Sequence, residues 1–143
     1  MRYTTRPAID AAIPAATLLQ LTNDDPAALA PDESVLLGLV AAVEELIDGY
    51  MRGRYTLPFD PVPTILQGAA IHLLRYELYA RRPEGGIPDA VRDAHKTTVR
   101  LLEHVRDGVI TLGVPTGQAA PEPGEIRVRS RRKQFGDAAW RAY

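Results

Sequence analysis

The stretch IDGYMRGRYTLPFDPVP, Ile47–Pro63, decides how this chain has to fold. An apolar run ends here in Arg52 and Arg54, in Tyr50 and Tyr55, and then in Pro58, Pro61 and Pro63. Each proline biases the residue before it towards extended backbone, so Leu57–Pro63 cannot continue a helix. The spacing predicts a stiff extended corner with little conformational entropy to lose on folding.

Upstream of the corner, Val35, Leu36, Leu39, Val40, Val43, Leu46, Ile47 and Tyr50 recur at spacings of three and four and make one apolar stripe. Glu33, Glu44, Glu45 and Asp48 fall largely off it. Asp32 is placed to cap a helix running from about Glu33 to Arg54, roughly 33 Å long. Gly49 and Gly53 stand four apart near its end, small enough for another backbone to approach closely.

Downstream, a helix is expected over Pro63–Arg81. Leu66, Ala69, Leu73 and Tyr76 form one stripe and Ile71, Leu74 and Leu78 another, so it should be buried on several sides. A further helix over Ile87–Asp107 presents Val91, Ala94, Thr98, Leu101, Leu102 and Val105, with Gly108 as its stop. VITLGV, Val109–Val114, suits a strand or an extended arm. Near the start, Pro7–Ile13 and Pro14–Leu21 read as two short helices, because a proline inside one continuous helix would cost about 3 kcal/mol. LTNDDPAALAPDES between them and the long helix is a loop.

The expectation is an all-α helical bundle with a long central helix, a short extended segment near 109–114 and an extended C-terminal arm. Residues 1–114 would form the helical domain. Residues 115–143 would form a flexible linker, PTGQAAPEPGE, and a basic arm.

The 143 residues suffice for one domain with its own core. There is no cysteine, which excludes disulfides, thiolate metal sites and cysteine nucleophiles. No signal-peptide core opens the chain, and no apolar run approaches the ~20 residues that span a bilayer, so a soluble, cytoplasmically made protein is expected. The net charge of −1 is unevenly shared. From Glu125 onward six cations face two acids, a balance of +4, which leaves −5 for the rest. An acidic body and a basic tail attract one another, within one copy or between copies.

No constellation of catalytic residues stands out. His72, His95 and His104 lack metal-ligand spacing, and structural roles are expected for them, His72 in a largely buried helix. Ser34 and Ser130 sit in no nucleophile-elbow context. Asp24-Asp25 and Glu44-Glu45 read as solvated acids. No enzyme activity, cofactor or metal is expected. In the tail, Ile126 and Val128 alternate with Arg127 and Arg129, followed by Arg131, Arg132, Phe135 and Trp140. Such a segment suits an arm that anchors its apolar residues on a partner. Its cations and rings also suit non-specific contact with nucleic acid. The arm is preferred. The alternative is a small helical nucleic-acid-binding protein, a DNA packaging or regulatory factor.

Ile47-Asp48-Gly49-Tyr50, Arg54-Tyr55, Leu57-Pro58, Val62-Pro63 and Arg75-Tyr76-Glu77-Leu78-Tyr79 follow one another in an order that resembles the small connector proteins of Mu-like phages and prophages. Gln20-Leu21-Thr22 and the closing basic segment with phenylalanine extend the resemblance over nearly the whole chain. The Pro14 break and the long linker depart from it. The resemblance implies a head-to-tail adaptor in the neck of a virion, made in the host cytoplasm. It would form a ring of about twelve copies, be a monomer before assembly, and bind a portal protein and tail or neck proteins. DNA in the channel would be touched non-specifically, and no membrane would be involved. At the corner, Asp48, Arg54 and Arg75 are expected to form a structural polar cluster, Asp48 pairing with one of the arginines, with Tyr50, Tyr55 and Tyr76 packed around it.

Overall fold

The computed structural model describes residues 1–116 apart from Pro26, Pro83 and Glu84. Five helices follow one another: α1 (Arg6–Ala12), α2 (Ala15–Thr22), α3 (Glu33–Met51), α4 (Thr64–Ala80) and α5 (Asp89–Asp107). The all-α expectation holds. The proposed arm residues Ile126, Val128, Arg131, Arg132, Phe135 and Trp140 lie outside the described residues.

Local chemistry explains the boundaries. Thr5 caps α1, its hydroxyl accepting from the Ala8 N–H. Pro14 occupies the N-cap of α2, so the break between the two short helices falls where its ring demands it. Asp32 caps α3 through the N–H groups of Ser34 and Val35, at 2.8 and 3.2 Å. The Ser34 hydroxyl and these N–H groups hold its carboxyl below the usual carboxylate range. α3 stops at Met51, three residues short of the expected end. The N–H groups of Arg54 and Tyr55 both turn back to the Met51 carbonyl, at 3.0 and 2.9 Å, and this closes the last turn.

α3, α4 and α5 pack against one another, and α2 lies on α3 and α4. α4 touches the other three, and for that reason its two apolar stripes are both buried: Leu66, Leu73 and Ala69 on one, Leu74 and Leu78 on the other. Leu36, Val40, Val43, Ile47 and Met51 face it from α3, Leu102 and Val105 from α5. Ile9, Ile13 and Leu18 close the core from α1 and α2. His72 departs from expectation and is exposed, because it falls on the side of α4 away from its neighbours. His95 stacks on Tyr76 with ring centroids 3.8 Å apart, joining α5 to α4.

Polar ties secure the periphery. Arg75 of α4 donates to the carbonyl of Ala12 at the end of α1. Arg81 and Arg82 grip Asp24 in the loop after α2 and hold its carboxyl below the usual range. Arg6 reaches both Asp10 and Glu33, joining α1 to the start of α3.

Leu57–Pro63 is non-helical, as expected, and contains two cis peptide bonds, before Pro58 and before Pro61. Val109–Val114 forms no strand within a sheet. It is an extended segment whose alternation still operates: Ile110, Leu112 and Val114 pack on the core while Val109 and Thr111 face outward. Its continuation is an isolated antiparallel bridge between Thr116 and Tyr55.

Gly108 turns the chain from α5 into that segment with a left-handed backbone, φ +82°. A Cβ there would stand 1.9 Å from Nη1 of Arg54, whose guanidinium lies against it. Gly108→Ala is expected to lower stability by about 1–2 kcal/mol in urea unfolding, from the left-handed φ and the displaced arginine together. In an Arg54→Ala background the loss should shrink without vanishing, since only the clash is relieved.

Candidate functional site

The C-terminal end of α3 is where the distant parts of the chain meet. Leu36, Val40, Glu44 and Asp48 lie four apart along one line of α3, and all four are buried. Two carboxylates on a buried line must find partners, and the first residues of the chain supply them. The Tyr3 hydroxyl donates to Oδ1 of Asp48, and Nη1 of Arg2 donates to Oδ2. Oε1 of Glu44 accepts the backbone N–H groups of Arg2 and of Tyr3, the latter at 3.1 Å, and its Oε2 faces Nε of Arg2 at 3.5 Å. Asp48 is 4% exposed and Glu44 6%, while the Arg2 side chain is about half exposed at 47%. The clamp is therefore wet on one side and dry on the other.

The electrostatics follow from that placement. Burial pushes the Tyr3 hydroxyl well above its ordinary value, and the hydrogen bond to Asp48 pushes it further. For Arg2, desolvation works against the charge, but Asp48 and then Glu44 outweigh it and raise its value.

The Tyr3 ring continues the site into the corner. It meets Phe59 edge-on at 6.3 Å and 64°, and Phe59 meets Tyr55 at 5.7 Å and 56°. Edge contacts of this kind contribute about 0.5–1.5 kcal/mol each beyond area burial. The Tyr55 hydroxyl in turn accepts the N–H of Leu112 at 3.2 Å. One row of rings thus joins the N-terminal segment, the proline corner and the extended segment after α5.

The expected cluster of Asp48, Arg54 and Arg75 does not form. Asp48 is taken by Arg2 and Tyr3. Arg75 points along α4 to Ala12, because the end of α1 offers it an open carbonyl. Arg54 lies over Gly108 at the C-terminus of α5, where the helix dipole favours a cation; its Nε is buried without a hydrogen-bond partner. Of the three tyrosines, Tyr55 keeps its expected place beside an arginine, with the Arg54 guanidinium 6.0 Å from its ring centroid, and the other two pair elsewhere. Tyr55 joins the aromatic row, Tyr76 stacks on His95, and Tyr50 lies under Arg106 at 5.8 Å. Glu44 is a second correction: it is buried, since Arg2 and Tyr3 cover it. Sequence reasoning missed Arg2 and Tyr3 altogether. The available signal was the interruption of the line Leu36–Val40 by two acids at the same spacing.

On the outer side of α3, Ala42, Leu46, Gly49 and Tyr50 form a shallow apolar hollow, with Glu45 and Arg106 at its rim. Nothing in the described chain comes within 4 Å of where a Cβ of Gly49 would stand. The close approach expected at this glycine is therefore absent within a single described chain. Among the described residues, no group of three or more His, Cys, Asp or Glu is placed to hold a metal ion, and no helix is long and apolar enough to cross a membrane. The carboxylates of the clamp are saturated by internal donors, so what this arrangement does is hold geometry.

Comparison with known proteins agrees with a phage origin. Residues 3–130 match the family described as Bacteriophage Mu, Gp36. Over 113 residues the chain is 35% identical to Gene product J of Escherichia phage Mu, covering 74% of this chain and 77% of that protein. It is 34% identical over 89 residues to the Mu-like prophage FluMu protein gp36 of Haemophilus influenzae, covering 62% and 60%.

Asp48→Ala is expected to cost about 1–3 kcal/mol, because it leaves the buried Tyr3 hydroxyl without its acceptor; Arg2 is half exposed and keeps Glu44, so the lost ion pair adds little. Tyr3→Phe should cost about 1–2 kcal/mol. The double variant should cost less than the sum, whereas Asp48→Ala and Arg75→Ala should add. Urea unfolding of the five variants, the three single ones and the two double ones, checks this, and coupling of Asp48 to Arg75 would contradict the observed pairing. A pH series adds a second check. The unfolded chain releases the Tyr3 proton near pH 10, and the folded chain only well above it. Above pH 10 the folded state therefore binds more protons, so this contribution is complete below pH 10 and declines as pH rises. Tyr3→Phe should flatten that alkaline decline.

Proposed function

The chain belongs to the Bacteriophage Mu, Gp36 family, and from that premise we propose that it is a head-to-tail connector, a structural ring subunit that joins a portal to a tail and continues the DNA channel. Its place is the neck of the virion, reached from the host cytoplasm. Its partners are further copies of itself, about twelve to a ring, a portal protein and tail or neck proteins. Its work is mechanical and not catalytic.

The observation that carries this is the corner at the end of α3. A ring subunit has to present its contact surfaces at a constant angle, or the ring does not close. Here the N-terminal segment, the proline corner and the segment after α5 are joined through Asp48, Tyr3, Phe59 and Tyr55. The bundle also keeps large apolar side chains outside: Leu29 is 97% exposed, Val109 72% and Leu37 51%. Such surfaces suit a protein that is covered by partners in its working state.

A reconstruction of tailed particles by electron microscopy tests the proposal. The five-helix body should fit a ring between portal and tail. Absence of the chain from purified particles, with duplex DNA binding that collapses as salt rises, would assign it to the nucleic-acid-binding class instead. Deleting Glu125–Tyr143 should leave the thermal midpoint nearly unchanged, since the described core is built from residues 3–105. The same deletion should abolish incorporation into particles. Unfolding of the truncated chain would show that the tail belongs to the core.

A further inference from the structure

We propose that the apolar hollow on α3 receives Leu29 from a second copy of this chain, so that copies join knob to hollow in one direction around the assembly. This deepens the ring reading above and rests on it for its place in the particle.

The knob is a leucine 97% exposed on the loop before α3, flanked by Ala27, Ala28 and Ala30. Its loop is tied back on itself. Asn23 accepts the Asp25 N–H at 3.1 Å and donates through its amide to the Ala30 carbonyl at 3.2 Å. Asp25 accepts the Ala27 N–H at 2.9 Å, and Thr22 accepts the Asp32 N–H at 3.1 Å. These ties hold the loop so that Leu29 stands outward instead of folding onto the core.

The hollow supplies what the knob lacks. Ala42 and Gly49 leave room between Leu46, itself 41% exposed, and the Tyr50 ring. Charge matches as well. At the rim, Glu45 is engaged by Arg52 at 3.2 Å, and Arg106 stands on the α5 side, half exposed, where it also meets Asp107. The loop brings Asp24 and Asp25, of which Asp25 has no ion-pair partner among the described residues. A leucine seated in the hollow carries these acids towards Arg106.

Geometry decides whose leucine it is. Leu29 precedes the first turn of α3 and Gly49 lies in its last, so about 25 Å of helix separates them. One chain cannot fill its own hollow. Knob and hollow are different surfaces, so the contact is heterologous, and each added copy leaves one of each free. Such contacts close into a ring or run on as a filament.

The chain has no cysteine, so engineered cysteines report alone. Concentrated full-length chain carrying both Leu29→Cys and Gly49→Cys should give, on mild oxidation, a ladder of linked dimers, trimers and larger species. A mixture of the Leu29→Cys chain with the Gly49→Cys chain should give linked dimers and nothing larger, and neither alone should link. Both sites are exposed, so circular dichroism should show the native helix content. No Leu29-to-Gly49 link above that of an exposed Thr97→Cys control, in solution or in tailed particles, overturns the contact. A chain found in the neck ring without the link keeps the ring reading and rejects this contact. A ladder from a chain absent from particles keeps the contact and rejects the neck assignment.

Discussion

The hydrogen bond from Tyr3 to Asp48 fixes the first residues of the chain onto the last full turns of α3, and most of what is distinctive in the structure depends on it. A carboxylate buried to this degree is tolerated only with donors on both oxygens. Arg2 supplies one and Tyr3 the other, while Glu44, one turn earlier, takes their backbone N–H groups. Without the clamp, α3 would carry two acids on a line that continues its apolar stripe. With it, the ring of Tyr3 is delivered to Phe59, and the proline corner gains a partner on its inner side.

The corner in turn organises the C-terminal side of the bundle. Tyr55 touches Phe59 with its ring, accepts from Leu112 with its hydroxyl and bridges to Thr116 through its backbone. The segment after α5 is thereby set along the end of α3, and Gly108 makes the reversal that this path requires. These are weak contacts individually. Together they tie four stretches of sequence into one joint, which suits a subunit whose contribution is the angle it maintains between neighbours.

The outside of the molecule carries the complementary message. α3 is amphipathic only in part, because its outward side is built of alanine, glycine and leucine with few charges. A monomer rarely keeps such a face unless something is to lie on it. The polar ties around the rest of the bundle, Arg6 to Asp10 and Glu33, Arg81 and Arg82 to Asp24, brace its remaining edges.

Helix identity, order and nearly every boundary were legible in the sequence. They depend on local causes: stripes at a spacing of three and four, prolines at helix starts, Asp32 as a cap and Gly108 as a stop. The double stripe on α4 likewise announced burial on several sides. The family resemblance was legible for a related reason, since the corner motif is contiguous. Partner choice was not. Asp48 had Arg54 and Arg75 as plausible partners by proximity in the pattern, yet it is bonded to Arg2 and Tyr3, more than forty residues away. Glu44 read as solvated because a stripe shows which residues share a face and says nothing of which segment will cover it. Pairing across such distances is settled by how the helices and the N-terminal segment pack in space, and only the tertiary structure contains that.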